Sequence, residues 1–142
     1  MSIDLSSPVR MNLGDVDDSL VAEGWHTVEI ERADAKINSS NNPMIFVMSR
    51  ICDETDPDYN RTVIWNSTFD FNDPEQWSLK FVRRFLTALG MDLDLDFESY
   101  QALADELIGR QVDVSVKHKI NKQTKDPQAN VSKWRPVTFE EL

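Results

Sequence analysis

The chain is short of the residues from which most reactive sites are built. Its 142 residues include one cysteine, Cys52, two histidines, His26 and His118, and four glycines. A single cysteine excludes an internal disulfide and fits a reducing compartment. Cys52 also closes the most apolar stretch of the chain, where a thiol is buried and inert rather than reactive. Both histidines fall in segments of strand character, and no serine sits between glycines in a nucleophile-elbow pattern, so nucleophilic catalysis is poorly served. The four glycines never form the spacing of a phosphate-binding loop. No apolar run reaches the roughly 18 residues of a membrane-spanning helix, and the first 18 residues hold no apolar signal core. The expectation is a cytoplasmic, non-enzymatic protein without a cofactor.

Metal chemistry has two thin supports. Asp92-x-Asp94-x-Asp96 imitates the first half of a calcium loop, but the sixth position is Phe97 instead of glycine and the twelfth is Leu103 instead of glutamate. Acids before a helix are better explained by the helix dipole. Asp34-Ala35-Lys36 is an acid-x-Lys pair of the kind metal nucleases use, yet the spacing places no further carboxylates beside it.

Charge is abundant and segregated. The formal net charge is −10, but residues 117–135 carry Lys117, Lys119, Lys122, Lys125, Lys133 and Arg135 against one acid, Asp126. That segment has a surplus of five positive charges, leaving −15 on the remainder. A basic patch on an acidic body attracts a polyanion at one face and repels it elsewhere. A solvated hairpin produces the same run of lysines.

The hydrophobic pattern describes mainly strands. Residues 1–22 form an acidic arm around Asp15, Asp17 and Asp18, expected to be partly mobile. Residues 25–33 alternate as a half-buried strand, 44–52 are almost continuously apolar as in a strand covered on both faces, and 61–69 are rich in β-branched residues. The period then changes. Asp73-Pro74-Glu75-Gln76 reads as an N-cap, N1 proline and capping-box partner, followed by Trp77, Phe81, Phe85 and Ala88 at helical spacing, with Gly90 as the stop. A second short helix is expected near 98–107, closed by Gly109. Strand character returns at 110–118, with Val112, Val114 and Val116 on one face and Asp113, Ser115 and Lys117 on the other. The last strand is expected near 130–137. The order β-β-β-α(α)-β-β is that of an OB-fold-like five-stranded barrel spanning 23–138, mainly β with a helical insertion. A sheet with a helix packed across one face gives the same order.

Aromatic residues accompany the basic segment. Trp134 lies between Lys133 and Arg135, Trp65 shares parity with Arg61, and Arg50 is the lone charge of the second strand. Proteins that bind single strands combine a cationic groove with rings on which bases stack, each worth about 1–3 kcal/mol. Trp77 fits the core, whereas Trp25, Trp65 and Trp134 fit either role. In a regular strand Trp134 points away from Lys133 and Arg135. Lys80, Arg83 and Arg84 share one helix face, which fits a contact with phosphate but reads first as the solvated face of an amphipathic helix.

The stretch from Ala22 to Val137 is similar to phage single-stranded DNA-binding proteins, small bacteriophage proteins encoded among replication and recombination genes. The resemblance lies in Glu23-Gly24-Trp25-His26-Thr27-Val28-Glu29-Ile30, the apolar strand at 44–51, Tyr59-Asn60-Arg61-Thr62-Val63, Leu86-Thr87-Ala88-Leu89-Gly90, Leu107-Ile108-Gly109-Arg110-Gln111-Val112-Asp113-Val114 and Asn130-Val131-Ser132-Lys133-Trp134-Arg135-Pro136. Asn60 stands where the family usually has glycine. The resemblance implies an OB-like fold, single-stranded DNA binding and no catalytic residues. It also implies partner enzymes recruited through an acidic tail, here Phe139-Glu140-Glu141-Leu142. Phosphates are expected at Lys117, Lys119, Lys122, Lys125, Lys133 and Arg135, helped by Arg50 and Arg61, with Trp65 and Trp134 as stacking rings. The alternative is an acidic interaction module or DNA mimic.

Overall fold

In the computed structural model, residues 5–15 and 19–137 are described; Asp17, Asp18 and the tail 139–142 lie outside them. Five strands form one antiparallel sheet: β1 (Gly24–Ile37), β2 (Pro43–Ile51), β3 (Thr62–Thr68), β4 (Gln111–Ile120) and β5 (Pro127–Arg135), in the order β3-β2-β1-β4-β5. Two helices, α1 (Trp77–Ala88) and α2 (Tyr100–Leu107), lie between β3 and β4 in the chain. The sheet is open. β3 and β5 are its edges and share no ladder, so of the two architectures that fit the element order, a barrel and a sheet with helices across one face, the open sheet is found.

The core follows from the alternation of apolar residues. Val28 and Ile30 of β1, Ile45, Val47 and Ile51 of β2, and Val112, Val114 and Val116 of β4 are buried on the face turned to the helices. Phe85, Leu86, Leu103, Ala104 and Leu107 meet them from the helices. Full burial of one such side chain contributes about 1.5–3 kcal/mol. α1 packs on β5 and β3, across the space between the two edges, while α2 packs on β1 and β2.

Three local expectations change. First, β4 does not alternate between core and solvent: Asp113 and Ser115 are also buried. Thr27 donates to Asp113 at 2.6 Å and Arg135 donates to it at 3.1 Å, which satisfies the carboxylate as it loses water. Second, β2 is fully buried on one face only, and its other face, with Met44, Phe46, Met48 and Arg50, is half-buried. Third, α1 begins at Trp77, not at Pro74. Residues 73–76 form their own turn, with the Gln76 amide donating to the Asp73 carbonyl and Gln76 itself left-handed at φ 56°. The Asp73 carboxylate then accepts from the amides of Glu75 and Trp77, so it still caps the helix, one turn earlier than a regular N-cap. Gly90, at φ 74°, ends α1 as expected.

Candidate nucleic-acid interface

The β4–β5 hairpin carries the basic segment. Lys117 and Lys119 lie opposite Asn130 and Gln128, and Lys133 lies opposite Ser115. A bulge between Ser115 and Val116 shifts the register. Asn121 organises the turn: its carboxamide oxygen accepts from the amides of Gln123 and Thr124, and its amide donates to the Asp126 carbonyl. Lys117, Lys119, Lys122, Lys125, Lys133 and Arg135 are all exposed.

The other expected contacts sit differently. Arg50 donates to both carboxylate oxygens of Glu31 and to the Asn60 carbonyl. The guanidinium holds Glu31 below its ordinary pKa, so the pair is charged and mutually engaged. Arg61 is tied to Asp58 at 3.1 Å and to the Ser19 carbonyl. Both arginines hold loops in place. Trp65, only 6% exposed, is a core residue and not a stacking platform. Its ring meets Phe85 edge-on at 5.3 Å and Trp134 at 6.2 Å. Trp134, opposite Val114, also turns inward and packs on Phe85 at 5.7 Å. Strand parity separates it from Lys133 and Arg135.

The rings that do face solvent are others. Trp25 is 40% exposed, Trp77 55% and Phe81 37%, so Trp77 is not the core residue its helical spacing suggested. Each ring is paired with a cation: Arg135 lies 4.1 Å from the Trp25 centroid, Lys80 4.8 Å from Trp77 and Arg84 5.4 Å from Phe81. Lys80, Arg83 and Arg84 of α1 and Arg135 of β5 line one cleft of about 610 Å³, whose wall includes Trp134. No acid lines it.

These features are contiguous. Arg135 belongs to the cleft and covers Trp25. Trp25, Ser115 and Lys133 are cross-strand neighbours on β1, β4 and β5. Lys117 and Lys119 continue the Ser115 face of β4. One band of cations and exposed rings therefore runs from α1 across the end of β5 and along β4. Sequence reasoning weighed the helical cations Lys80, Arg83 and Arg84 as a phosphate contact but favoured a solvated face, and it did not pair them with the rings of Trp77 and Phe81. The signal was the repeated spacing of an aromatic residue and a cation three positions on, Trp77–Lys80 and Phe81–Arg84.

Beside the band, the space between the sheet edges is a cleft of about 790 Å³, lined by β3, β5 and residues 19–21, with Arg61 and Lys119 as its cations. Both histidines fasten residues 21–22 beside this cleft. His26 bonds the Ala22 carbonyl at 2.7 Å and Asp56 at 2.5 Å, and His118 bonds the Val21 carbonyl at 2.7 Å. Burial lowers the His26 pKa, but the bonds to Ala22 and Asp56 and the charges of Asp56 and Asp58 outweigh it and raise the value above 6.5. Ligand atoms of His26, Asp56 and Asp58 lie within 4.8 Å of one another. They are already used: Asp58 accepts from the Ala22 amide and from Arg61. Their geometry is that of a latch. Burial, with Glu29 nearby, pushes the Cys52 thiol up, which suits an unreactive thiol. No described helix is long and apolar enough to cross a membrane.

The chain belongs to the family described as a protein of unknown function (DUF669), whose model matches residues 11–141. A search of the curated proteins found no match.

Proposed function

We propose that the chain is a non-enzymatic protein that binds single-stranded DNA with little sequence preference, in the cytoplasm, during phage replication or recombination. The observation that carries this reading is the continuous band in which Lys80, Arg83, Arg84, Arg135, Lys133, Lys117 and Lys119 alternate with the exposed rings of Trp25, Trp77 and Phe81. Cations meet phosphates, while a ring face accepts any base that is free of a duplex. Duplex bases are stacked on one another and present no face to Trp25 or Trp77. The acidic surplus carried outside the band repels the strand from the rest of the surface and confines it to the band.

The fold agrees with an OB-like architecture. What supports that reading is the β1-β2-β3 meander, the helical segment before β4 and the strand order β3-β2-β1-β4-β5, in a sheet whose edges β3 and β5 share no ladder. The link to phage DNA metabolism rests on the sequence resemblance. Recruitment of partner enzymes by residues 139–142 concerns a segment outside the described residues.

A salt titration of labelled oligo-dT binding tests the reading. With about four to six phosphate contacts, log K falls against log salt with a slope of about −3 to −4. A flat response, or tighter binding to duplex, overturns it. The acidic loop Asp92, Asp94 and Asp96 favours a second reading, an interaction module or DNA mimic that binds a basic protein. Failure to bind oligo-dT at low salt would leave that reading standing.

A further inference from the structure

Of the three cation–ring pairs in the band, one is built differently. Among the described residues, no acid bonds Lys80 beside Trp77 or Arg84 beside Phe81. Arg135, beside Trp25, is held by one. Its Nε donates to one carboxylate oxygen of Asp113 at 3.1 Å, and the Thr27 hydroxyl donates to the other at 2.6 Å. The register makes this row: Asp113 lies opposite Thr27 on β1 and opposite Arg135 on β5, and Trp25 is two residues before Thr27 on the same face. Asp113 is only 6% exposed, whereas the Arg135 side chain is 51% exposed.

An acid in this place is costly twice. Burial takes its charge out of water, and that charge opposes the phosphates the band attracts. A cation whose task was only to draw phosphate would do so better without it. What Asp113 adds is geometry. Thr27 fixes the carboxylate, and the carboxylate fixes Nε. The guanidinium carbon then lies 4.1 Å from the Trp25 centroid, in contact with the ring. Two fixed contacts leave a planar group little freedom, while its terminal nitrogens remain donors. Guanidinium planes, like aromatic rings, are surfaces on which unstacked bases lie.

Given the single-strand reading, on which this rests, we propose that Arg135 is more than a phosphate contact: a base of the strand stacks on the Arg135–Trp25 pair, and Asp113, fixed by Thr27, is the positioning residue that holds the pair together. The acid is kept in the band because orientation of the stack is worth more to binding than the charge it cancels.

Oligo-dT binding by three variants across a salt series tests this, with the NMR signal of the Arg135 Nε–H as a readout free of DNA. Arg135→Lys keeps the charge and loses the plane. It should bind about tenfold more weakly, with the wild-type salt slope. Asp113→Ala removes an anion from the band, yet it should also bind about five- to tenfold more weakly, because the guanidinium is released. Asp113→Asn keeps an acceptor oxygen for Nε and should recover most of that loss. The Arg135 Nε–H should exchange slowly with water in wild type and fast in Asp113→Ala. Tighter binding by Asp113→Ala, or wild-type affinity in Arg135→Lys, reduces Arg135 to a phosphate contact and overturns the proposal while the single-strand reading stands. So does an Nε–H signal that Asp113→Ala leaves unchanged. Arg135→Lys alters an exposed side chain and decides the matter if Asp113→Ala does not fold. A wild type that fails to bind oligo-dT overturns the single-strand reading and this proposal together.

Discussion

The four tryptophans divide into two regions with opposite surroundings. Trp65 and Trp134 stand between the sheet and α1, where their neighbours are other rings. Trp25 and Trp77 stand on the surface, where their neighbours are Arg135 and Lys80. In the inner region the ring is filler, and its value is the area it removes from water. In the outer region the ring is partly exposed and a cation that also attracts phosphate lies over it. What surrounds a ring decides its role. If that division is sound, inner substitutions change stability without changing the affinity of the folded protein, and outer ones do the reverse.

The largest effect is expected at Trp65. Trp65→Ala removes a ring packed against Phe85 and Trp134 and leaves a cavity. It should cost about 3–5 kcal/mol in urea denaturation, while the folded fraction binds oligo-dT normally. An affinity loss with a normal melt would move Trp65 to the outer group.

Next comes the cleft. Arg83→Glu with Arg84→Glu reverses two exposed charges beside Arg135. Oligo-dT affinity should fall about 30-fold, near 2 kcal/mol, with a shallower salt slope. Stability should move by only about 0.5 kcal/mol, since exposed charges contribute little. Lys119→Glu with Lys122→Glu on the hairpin should weaken binding by a smaller factor, because no exposed ring is paired with those lysines. If the hairpin pair has the larger effect, the centre of the site lies on β4 and not on α1.

Trp25→Ala should cost about 1–2 kcal/mol of binding at nearly constant melting temperature, as loss of one stacking face predicts. The opposite pattern would make Trp25 a cover for Asp113 and Ser115, and the exposed ring incidental.

How much of this could be read from the chain varies by element. The strands were legible because β-branched runs repeat at period 2, and all five appear within a few residues of expectation. The inward turn of Trp134 was legible from its parity against Lys133 and Arg135 alone. The face of α1 was not. Trp77, Phe81, Val82, Phe85, Leu86, Ala88 and Leu89 form an apolar stripe too wide for one packing surface. Only tertiary contact determines that Val82, Phe85, Leu86 and Ala88 are buried while Trp77 and Phe81 are left at the rim. Burial of Asp113 had the same origin. Its acceptor role depends on Thr27, 86 positions away, and on Arg135. The open seam was equally hidden, because strand order is the same in an open sheet and a closed barrel.

The smallest expected effect falls on the residue that touches both regions. Trp134 packs on Trp65 and Phe85, yet its ring also meets Phe81 at 6.3 Å and lines the cationic cleft. Its indole N–H is buried and has no acceptor among the described residues. Trp134→Phe keeps an aromatic ring on those partners and removes the unsatisfied donor. The lost area and the relieved donor act in opposite directions, so stability should change by about 1 kcal/mol at most. Affinity for oligo-dT should stay within about twofold, because an inward ring offers a base no face. The outcome that breaks the division is a tenfold or larger loss of affinity at constant stability. It would mean that a base enters the cleft between Lys80 and Arg135 and lies on the indole, so that the wall between the core and the binding surface is itself part of the site.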